Sequence, residues 1–304
     1  MLILFVGDGR LGNQVFQYAA LSSFAPEGSR ILAVGLEDLE KMFELGGPGL
    51  RVLASGLWRK RFVKYLVRPL LLYPLARWLR LISYAREREH GGAYAGNDGR
   101  LDIRRGLFRG VLFVDGGYYQ NSEYWPQLFP PRCLRLRAQW RDAAQRAVPQ
   151  LASCGAHRPF FLHVRRGDYV GFSSHGVSNL MLPTEFFRAG IARIRAGTPA
   201  GTPGRLLIVV TDDARWAESE LADIPGKRIV SSSPWLDFAV MAECESGIVS
   251  NSTFSLAAAL FMREPVIVIA PRYWFGFRQQ QWLPPRIRFE HARIEYLAVP
   301  EGAP

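Results

Sequence analysis

The sequence predicts an α/β protein of two lobes, on three observations. At 304 residues the chain is too long for one minimal domain, and 48% apolar residues supply enough side chains for one large or two ordinary cores. Short apolar runs alternate with stretches of helical periodicity, as in a parallel sheet covered by helices. The first run ends in Gly7-Asp8-Gly9, a glycine turn that leads straight into a helix.

Taken in order, Leu2 to Val6 is a strand and Asn13 to Phe24 a helix, with Val15, Phe16, Ala19 and Ala20 at helical spacing. Arg30 to Val34 is a second strand, Arg51 to Ala85 reads as mostly helical, and Val111 to Asp115 is a strand running into Gly116-Gly117. Residues 150–158, between Pro149 and Pro159, have little periodicity, so the boundary is expected there, with domains at 1–155 and 156–304. The second half alternates more clearly. Strands are expected at Phe160 to Val164, Leu206 to Thr211, Gly247 to Ser250 and Val266 to Ala270. Helices are expected at Pro183 to Ile194, Arg215 to Leu221, Pro234 to Glu243 and Thr253 to Phe261. This is a parallel-sheet pattern, with loops at the carboxyl ends of strands, where α/β proteins place ligands. The Gly- and Pro-rich stretch 197–204 is expected to be a surface loop without chemistry.

No run of 18 uncharged apolar residues occurs, and Met1 leads into a strand without a basic leader, so a cytoplasmic chain that neither spans a membrane nor is secreted is expected. Cys133, Cys154 and Cys244 are odd in number and scattered, which offers neither a disulfide framework nor metal-ligand spacing. The excess of 38 Lys+Arg over 27 Asp+Glu, a net +11, points to anionic partners. No zinc-finger, RNA-recognition or helix-turn-helix pattern occurs, so nucleic acid is not expected among them. Residues 57–84 carry seven basic and no acidic residues, interleaved with Trp58, Phe62, Leu66, Trp78, Leu79 and Leu81. They read either as a segment in peripheral contact with the inner face of an anionic membrane, broken by Pro69 and Pro74, or as a basic helix pair packed on its own domain.

Gly7-x-Gly9-x-x-Gly12 after a strand fits a dinucleotide fingerprint, and Glu37 or Asp38 near the end of the next strand could hold a ribose, which keeps an NAD(P)-dependent oxidoreductase as an alternative. More specific is His163-Val164-Arg165-Arg166-Gly167-Asp168-Tyr169, which follows a buried strand. An arginine fork binds phosphate through two charge-assisted hydrogen bonds at any working pH, and only one of two adjacent arginines need do so while the other braces the loop with Asp168. Thr211-Asp212-Asp213 also ends a strand, and Ser250-Asn251-Ser252-Thr253-Phe254-Ser255 opens a helix, where hydroxyls and backbone N–H groups can hold an anion. Asp237 could accept both Watson–Crick protons of guanine.

Taken together these segments resemble the bacterial α-1,2-fucosyltransferase family. They run in order from Gly9-Arg10-Leu11-Gly12-Asn13-Gln14-Val15-Phe16-Gln17-Tyr18-Ala19, through Gly117-Tyr118-Tyr119-Gln120-Asn121-Ser122-Glu123-Tyr124-Trp125 and His163 to Tyr169, to Ala270-Pro271 with Trp274. The resemblance implies a GT-B fold of two facing Rossmann-like domains, acceptor on the first and GDP-sugar on the second. It implies inverting, metal-independent transfer from GDP-fucose without a cofactor, with Arg165 neutralising the leaving β-phosphate. His163 and Asp237 would contact guanosine, Ser252, Thr253 and Asp212 would line the donor site, and Gly9, Gly12 and Asn13 would form the acceptor-side wall. Asp168 and Asp8 are the candidate bases. After Ser255, where the family shows tryptophans, this chain has Leu256-Ala257-Ala258-Ala259-Leu260, which leaves another GDP-linked deoxyhexose open as donor. The acceptor implied is a glycan, with a lipid-linked O-antigen or exopolysaccharide unit suggested by the basic segment. A non-catalytic sugar- or nucleotide-binding protein is the remaining alternative.

Overall fold

The computed structural model describes residues 1–46, 49–52, 61–90, 96–125, 134–152, 159–171, 173–174, 177–197, 205–263, 265–290 and 293–300. It divides into two units, Met1–Arg135 and Leu136–Pro304, each built on a six-stranded sheet.

In the first unit β1 (Leu2–Val6), α1 (Leu11–Phe24), β2 (Arg30–Val34) and α2 (Glu37–Met42) are followed by β3 (Gly49–Val52), β4 (Ile82–His90), β5 (Gly96–Arg104) and β6 (Phe108–Val114). The sheet order is β3-β2-β1-β6-β4-β5, parallel except for the β4–β5 hairpin. β1 sits at its centre because its residues are apolar on both faces, with Ile3, Phe5 and Val6 buried. Beyond β1, the Gly7 N–H donates to Val34 O at 2.8 Å. Gly35, at φ +92°, lies so close that a Cβ there would stand 2.5 Å from Gly7 O.

The expected helix from Arg51 to Ala85 is corrected by the structure. Arg51 and Val52 belong to β3, Val63–Leu72 and Pro74–Trp78 form a helical segment, and Ile82 opens β4. Two prolines lack the N–H that an ordinary turn uses, and the segment winds wide, with Tyr73 N donating to Arg68 O and Leu79 N to Pro74 O. Its inner side, Leu72 and Ala76 with Val63, Val67 and Leu75, packs on Val6, Ile82, Tyr84 and Phe113. Charges at Arg86, Glu87 and Arg88 mask β4 in the sequence. Trp58, Arg59 and Lys60 lie outside the described residues, as do Cys133, Cys154 and the loop residues 198–204.

The second unit opens with α3 (Ala138–Ala147) and continues β7 (Phe160–Val164), α4 (Thr184–Ala196), β8 (Leu207–Thr211), α5 (Ala214–Glu220) and β9 (Lys227–Val230). α6 (Pro234–Ala242), β10 (Ser246–Ile248), α7 (Thr253–Leu260), β11 (Ile267–Pro271) and β12 (Ile294–Leu297) complete it. The order β9-β8-β7-β10-β11-β12 is parallel throughout. Every residue of β7, β8 and β10 is buried, so both faces of the sheet's centre are covered. On one side, Phe160, Leu162, Val164, Leu207, Val209 and Ile248 meet Phe186, Phe187 and Ile191 of α4. α3 packs on α6, where Trp140 stacks on Trp235 at 6.1 Å and Arg141 pairs with Glu243. That packing puts α3 in the second unit, ahead of the 150–158 stretch where the sequence suggests a boundary. Residues 153–158 of that stretch lie outside the described residues. Cys244 is a free, buried thiol. No helix among the described residues is long and apolar enough to cross a membrane.

Gly35→Ala should destabilise the first unit by roughly 2 kcal/mol or more, because strain at positive φ adds to a backbone clash. Gly28→Ala, at φ +73° with nothing within 4 Å of its Cβ, should lose only about 1 kcal/mol. Urea denaturation of both variants measures the difference, and equal losses would mean that the contact with Gly7 is relaxed at no cost.

Candidate active site

In the second unit the strand order reverses at β7, which has β8 on one side and β10 on the other. Connections leaving the two sides run to opposite faces of the sheet and open a crevice at the carboxyl ends of the strands. The residues singled out in this half all sit on that edge. Arg165 and Asp168 follow β7, Asp212 follows β8, Asp237 lies in the first turn of α6 after β9, and Ser252 and Thr253 begin α7 after β10.

The two arginines diverge, as neighbours leaving a strand must. Arg165 presents Nε and Nη2 to the two oxygens of Asp168, at 2.8 and 2.7 Å, and Nη1 stands 3.2 Å from Asp212 Oδ2. Its guanidinium is held charged despite burial by these carboxylates. Arg166 turns the other way, lying over the Trp216 ring at 4.9 Å with Nε 3.2 Å from Asp213 Oδ2. Asp212 also accepts the Arg166 backbone N–H at 2.9 Å, and Gly167 leaves it room, since a Cβ there would stand 2.9 Å from Asp212 Oδ2. Asp213 caps α5 by accepting the Trp216 N–H at 3.0 Å. The sequence reading missed Asp213 as the partner of Arg166, although its place as a helix cap after β8 was visible.

His163 lies within β7, buried, with Nδ1 2.7 Å from Ser250 Oγ and its ring 5.6 Å from that of Phe254. Burial lowers its pKa to about 3, with the Arg165 charge adding to the effect, so the ring is neutral at ordinary pH. Phe254 in turn meets Phe238, the neighbour of Asp237 on α6, at 5.8 Å. Asp237 accepts from Ser232 Oγ at 2.7 Å and from Ser232 N at 3.2 Å through Oδ1, and burial raises its pKa. Ser252 caps α7, accepting the Phe254 N–H at 3.4 Å. Tyr169 donates to Asn251 O at 3.1 Å and so ties the loop after β7 to the loop after β10. Leu256 to Leu260 of α7 are all buried, which fits their small and aliphatic character.

The first unit has its own reversal, at β1, with β2 and β6 as neighbours. Gly9 takes φ +91° in the loop after β1, against the Asn13 side chain, and Gly12 lies buried in the first turn of α1. Asn13 Oδ1 accepts from Gln120 Nε2 at 3.4 Å. Gln17 Nε2 donates to Asp8 O at 2.8 Å and Gly117 O at 2.7 Å, which links the loops after β1 and β6. Asp8 pairs with Lys64 at 2.6 Å. Glu37 and Asp38 come shortly after the end of β2, as expected, in the first turn of α2. Gln14 occupies Asp38, accepting its N–H at 3.0 Å and donating to its carboxylate at 3.2 Å. Two buried acids were not foreseen. Asp115 accepts from Tyr84 at 2.9 Å and from Tyr73, and meets Arg68 at 2.5 Å. Glu87 accepts the N–H groups of Tyr118 and Tyr119 at 2.8 and 2.6 Å.

A family model described as glycosyl transferase family 11 matches residues 119–281. The O-antigen biosynthesis glycosyltransferase WbnK of Escherichia coli is 33% identical over 120 residues, a match spanning 38% of each chain. Galactoside alpha-(1,2)-fucosyltransferase 2 of Mus musculus is 24% identical over 271 residues, 86% of this chain and 69% of that one. Among solved structures, the NodZ alpha-1,6-fucosyltransferase soaked with GDP-fucose is similar in fold, at TM-score 0.51 and 13% identity, covering 88% of this chain and 94% of its own. These findings agree with the GT-B class expected from the sequence.

The neutral His163 gives a pH test. The unfolded chain takes up a proton near pH 6.5 that the folded chain refuses until about pH 3, so this group removes stability as pH falls below 6.5, by up to ~1.4 kcal/mol per pH unit. His163→Asn should be less stable than the parent at pH 8, and the gap should narrow steadily towards pH 4. Denaturation midpoints across that range check it, and a constant gap would mean that His163 protonates alike in both states.

Proposed function

Since the chain belongs to glycosyl transferase family 11, we propose that this glycosyltransferase moves L-fucose, or a related deoxyhexose carried on GDP, to a glycan hydroxyl with inversion. The acceptor we assign is the 2-hydroxyl of a galactoside, in a glycan such as a lipid-linked O-antigen or exopolysaccharide unit. The names borne by its relatives, a galactoside alpha-(1,2)-fucosyltransferase and an O-antigen biosynthesis glycosyltransferase, support that assignment.

The observation that carries the proposal is the crevice of the second unit, where Tyr169, in the loop of Arg165, donates to Asn251 O in the loop that leads into α7. A departing diphosphate develops charge, and a preorganised guanidinium beside a helix N-terminus stabilises it most in the transition state. Arg165 is assigned the β-phosphate, with Ser252 and Thr253 at the α7 end and His163 against the nucleoside. Asp212 keeps Arg165 aimed from behind. No metal is needed on this reading, because the arginine carries the countercharge. Asp237 is assigned the guanine edge, since Ser232 holds Oδ1 through both Oγ and N while Oδ2 accepts only the long Ser232 N–H contact at 3.4 Å and retains acceptor capacity.

Asp168 and Asp8 are the carboxylates proposed to take the acceptor proton. Each side chain is about half exposed and each is held by a cation. A phosphate that takes the fork of Arg165 displaces Asp168, so donor binding would release a carboxylate at the moment one is required. Gly9, Gly12 and Asn13 are assigned to the acceptor side.

Mass spectrometry of products from a panel of GDP-, UDP- and ADP-sugars with mixed glycan acceptors tests the proposal. GDP-fucose or a GDP-linked relative should alone be consumed, and transfer from another nucleotide class would overturn it. Arg165→Lys should keep the fold and lower turnover by roughly two to three orders of magnitude, because lysine keeps the charge and loses the fork. Arg166→Lys, whose guanidinium faces Asp213 and Trp216, should lose much less. Equal losses in steady-state assays would remove the distinction between them. Asp237→Asn should weaken GDP by roughly 2 kcal/mol and erase its advantage over ADP and UDP in calorimetric titrations. A retained preference would place guanine recognition elsewhere.

A further inference from the structure

The helical segment of the first unit is apolar on both sides, a pattern that belongs to a buried helix or one at a membrane surface. Its inner side is accounted for by the core of the first sheet. Its outer side is not. Leu70 is 71% exposed, Trp78 81%, and Leu71 and Leu79 are exposed as well. The turn before β6 adds Leu107, 72% exposed, and Phe108. The two stretches are joined, because Arg80, at φ +51°, ends the helical segment and its carbonyl accepts the Leu107 N–H at 2.9 Å, while Leu81 O accepts that of Phe108 at 2.7 Å. Of the 15 large exposed apolar side chains among the described residues, 10 lie in 62–79 and 103–108. Contiguous exposure on this scale marks an interaction surface.

Its charge indicates the partner. Arg61, Arg80, Arg104, Arg105 and Arg109 are exposed on these stretches, and the sequence has no acidic residue from 57 to 86 or from 103 to 114. Apolar side chains flanked by arginines match an anionic bilayer surface, where the former enter the acyl boundary and the latter meet headgroups. Of the segment's other cations, Lys64 reaches Asp8 after β1, Arg68 reaches Asp115 after β6, and Arg77 lies over the Tyr73 and Tyr84 rings at 6.0 and 5.9 Å. The same segment therefore clasps both loops that border the reversal point of the first sheet.

We propose that residues 61–80 and the 103–109 turn form a docking face for an anionic lipid bilayer, with Trp78, Arg80 and Leu107 meeting it beside the starts of β4 and β6. The inference deepens the assignment of a lipid-linked acceptor, but its test reads binding and not turnover, so the two stand or fall separately. Flotation of the full chain with phosphatidylglycerol–phosphatidylcholine vesicles should exceed flotation with phosphatidylcholine alone at least tenfold at low salt, and should fall as ionic strength rises. Trp78→Ser with Leu107→Ser should reduce flotation at least tenfold without shifting the thermal midpoint, since both side chains are exposed. Arg80→Glu with Arg105→Glu should remove the preference for anionic vesicles. Equal flotation with both lipids would overturn the proposal, as would variants that float like the parent. A parent dimer that Trp78→Ser with Leu107→Ser dissociates, without vesicle binding, would give the face to a second copy of the chain.

Discussion

Parallel strands end in loops that have no ladder to hold them, and in this protein carboxylates bonded to backbone N–H groups supply what the ladder does not. In the first unit Glu87 accepts two consecutive N–H groups of the loop after β6, and Asp115 accepts that of Gly116 at 2.8 Å. In the second, Asp212 accepts the N–H of Arg166. Hydrogen bonds to charged groups contribute about 1.5–3 kcal/mol each, and a buried carboxylate without them would cost more than that.

The two units put the same device to different electrostatic use. The loops of the first unit present acids, Asp8 and Asp115, whose countercharges come from the helical segment. The loops of the second present arginines, whose countercharges come from Asp168 in the same loop and from Asp212 and Asp213 at the neighbouring strand end. On the proposed assignment, a site for neutral hydroxyls tolerates acids, exposed at Asp8 and buried at Asp115, whereas a site for a diphosphate needs fixed cations and a helix N-terminus. The second sheet, parallel throughout and reversing at β7, supplies both.

Much of this was legible in the residues. Phe160 to Val164, Leu2 to Val6 and Arg30 to Val34 are strands to the residue, because each is a short apolar run closed by a polar or glycine turn. β4 was not, since Arg86, Glu87 and Arg88 erase its apolar signal. Glu87 is buried there only because its partners, 31 and 32 positions on, are brought to it by β6. β9 was missed for a similar reason, with Lys227 and Arg228 opening a four-residue edge strand. At the site, the motif from His163 to Asp168 was visible as a cluster of charge after a strand. Which arginine faces which acid was not, because Asp212 and Asp213 come from the next strand and sequence spacing carries no direction across a sheet.

The pairing of Arg165 has an electrostatic consequence. Two guanidinium charges stand among three carboxylates, Asp168, Asp212 and Asp213, so the cluster is not attractive to a diphosphate until one acid withdraws. Asp212 is poorly placed to do so, because it is bonded to the Arg166 backbone, packed against Gly167 and only 29% exposed. Asp213 is committed to capping α5. Asp168 is 51% exposed, lies on a short turn after Gly167, and meets Arg165 in the same fork geometry that a phosphate would use. A phosphate carries more charge than the carboxylate it would replace, so on the proposed mechanism exchange at that fork favours the donor. On the proposed mechanism Asp168 therefore acts as a stand-in for phosphate before the donor arrives, and it is freed for proton transfer only once the charge it mimicked is bound.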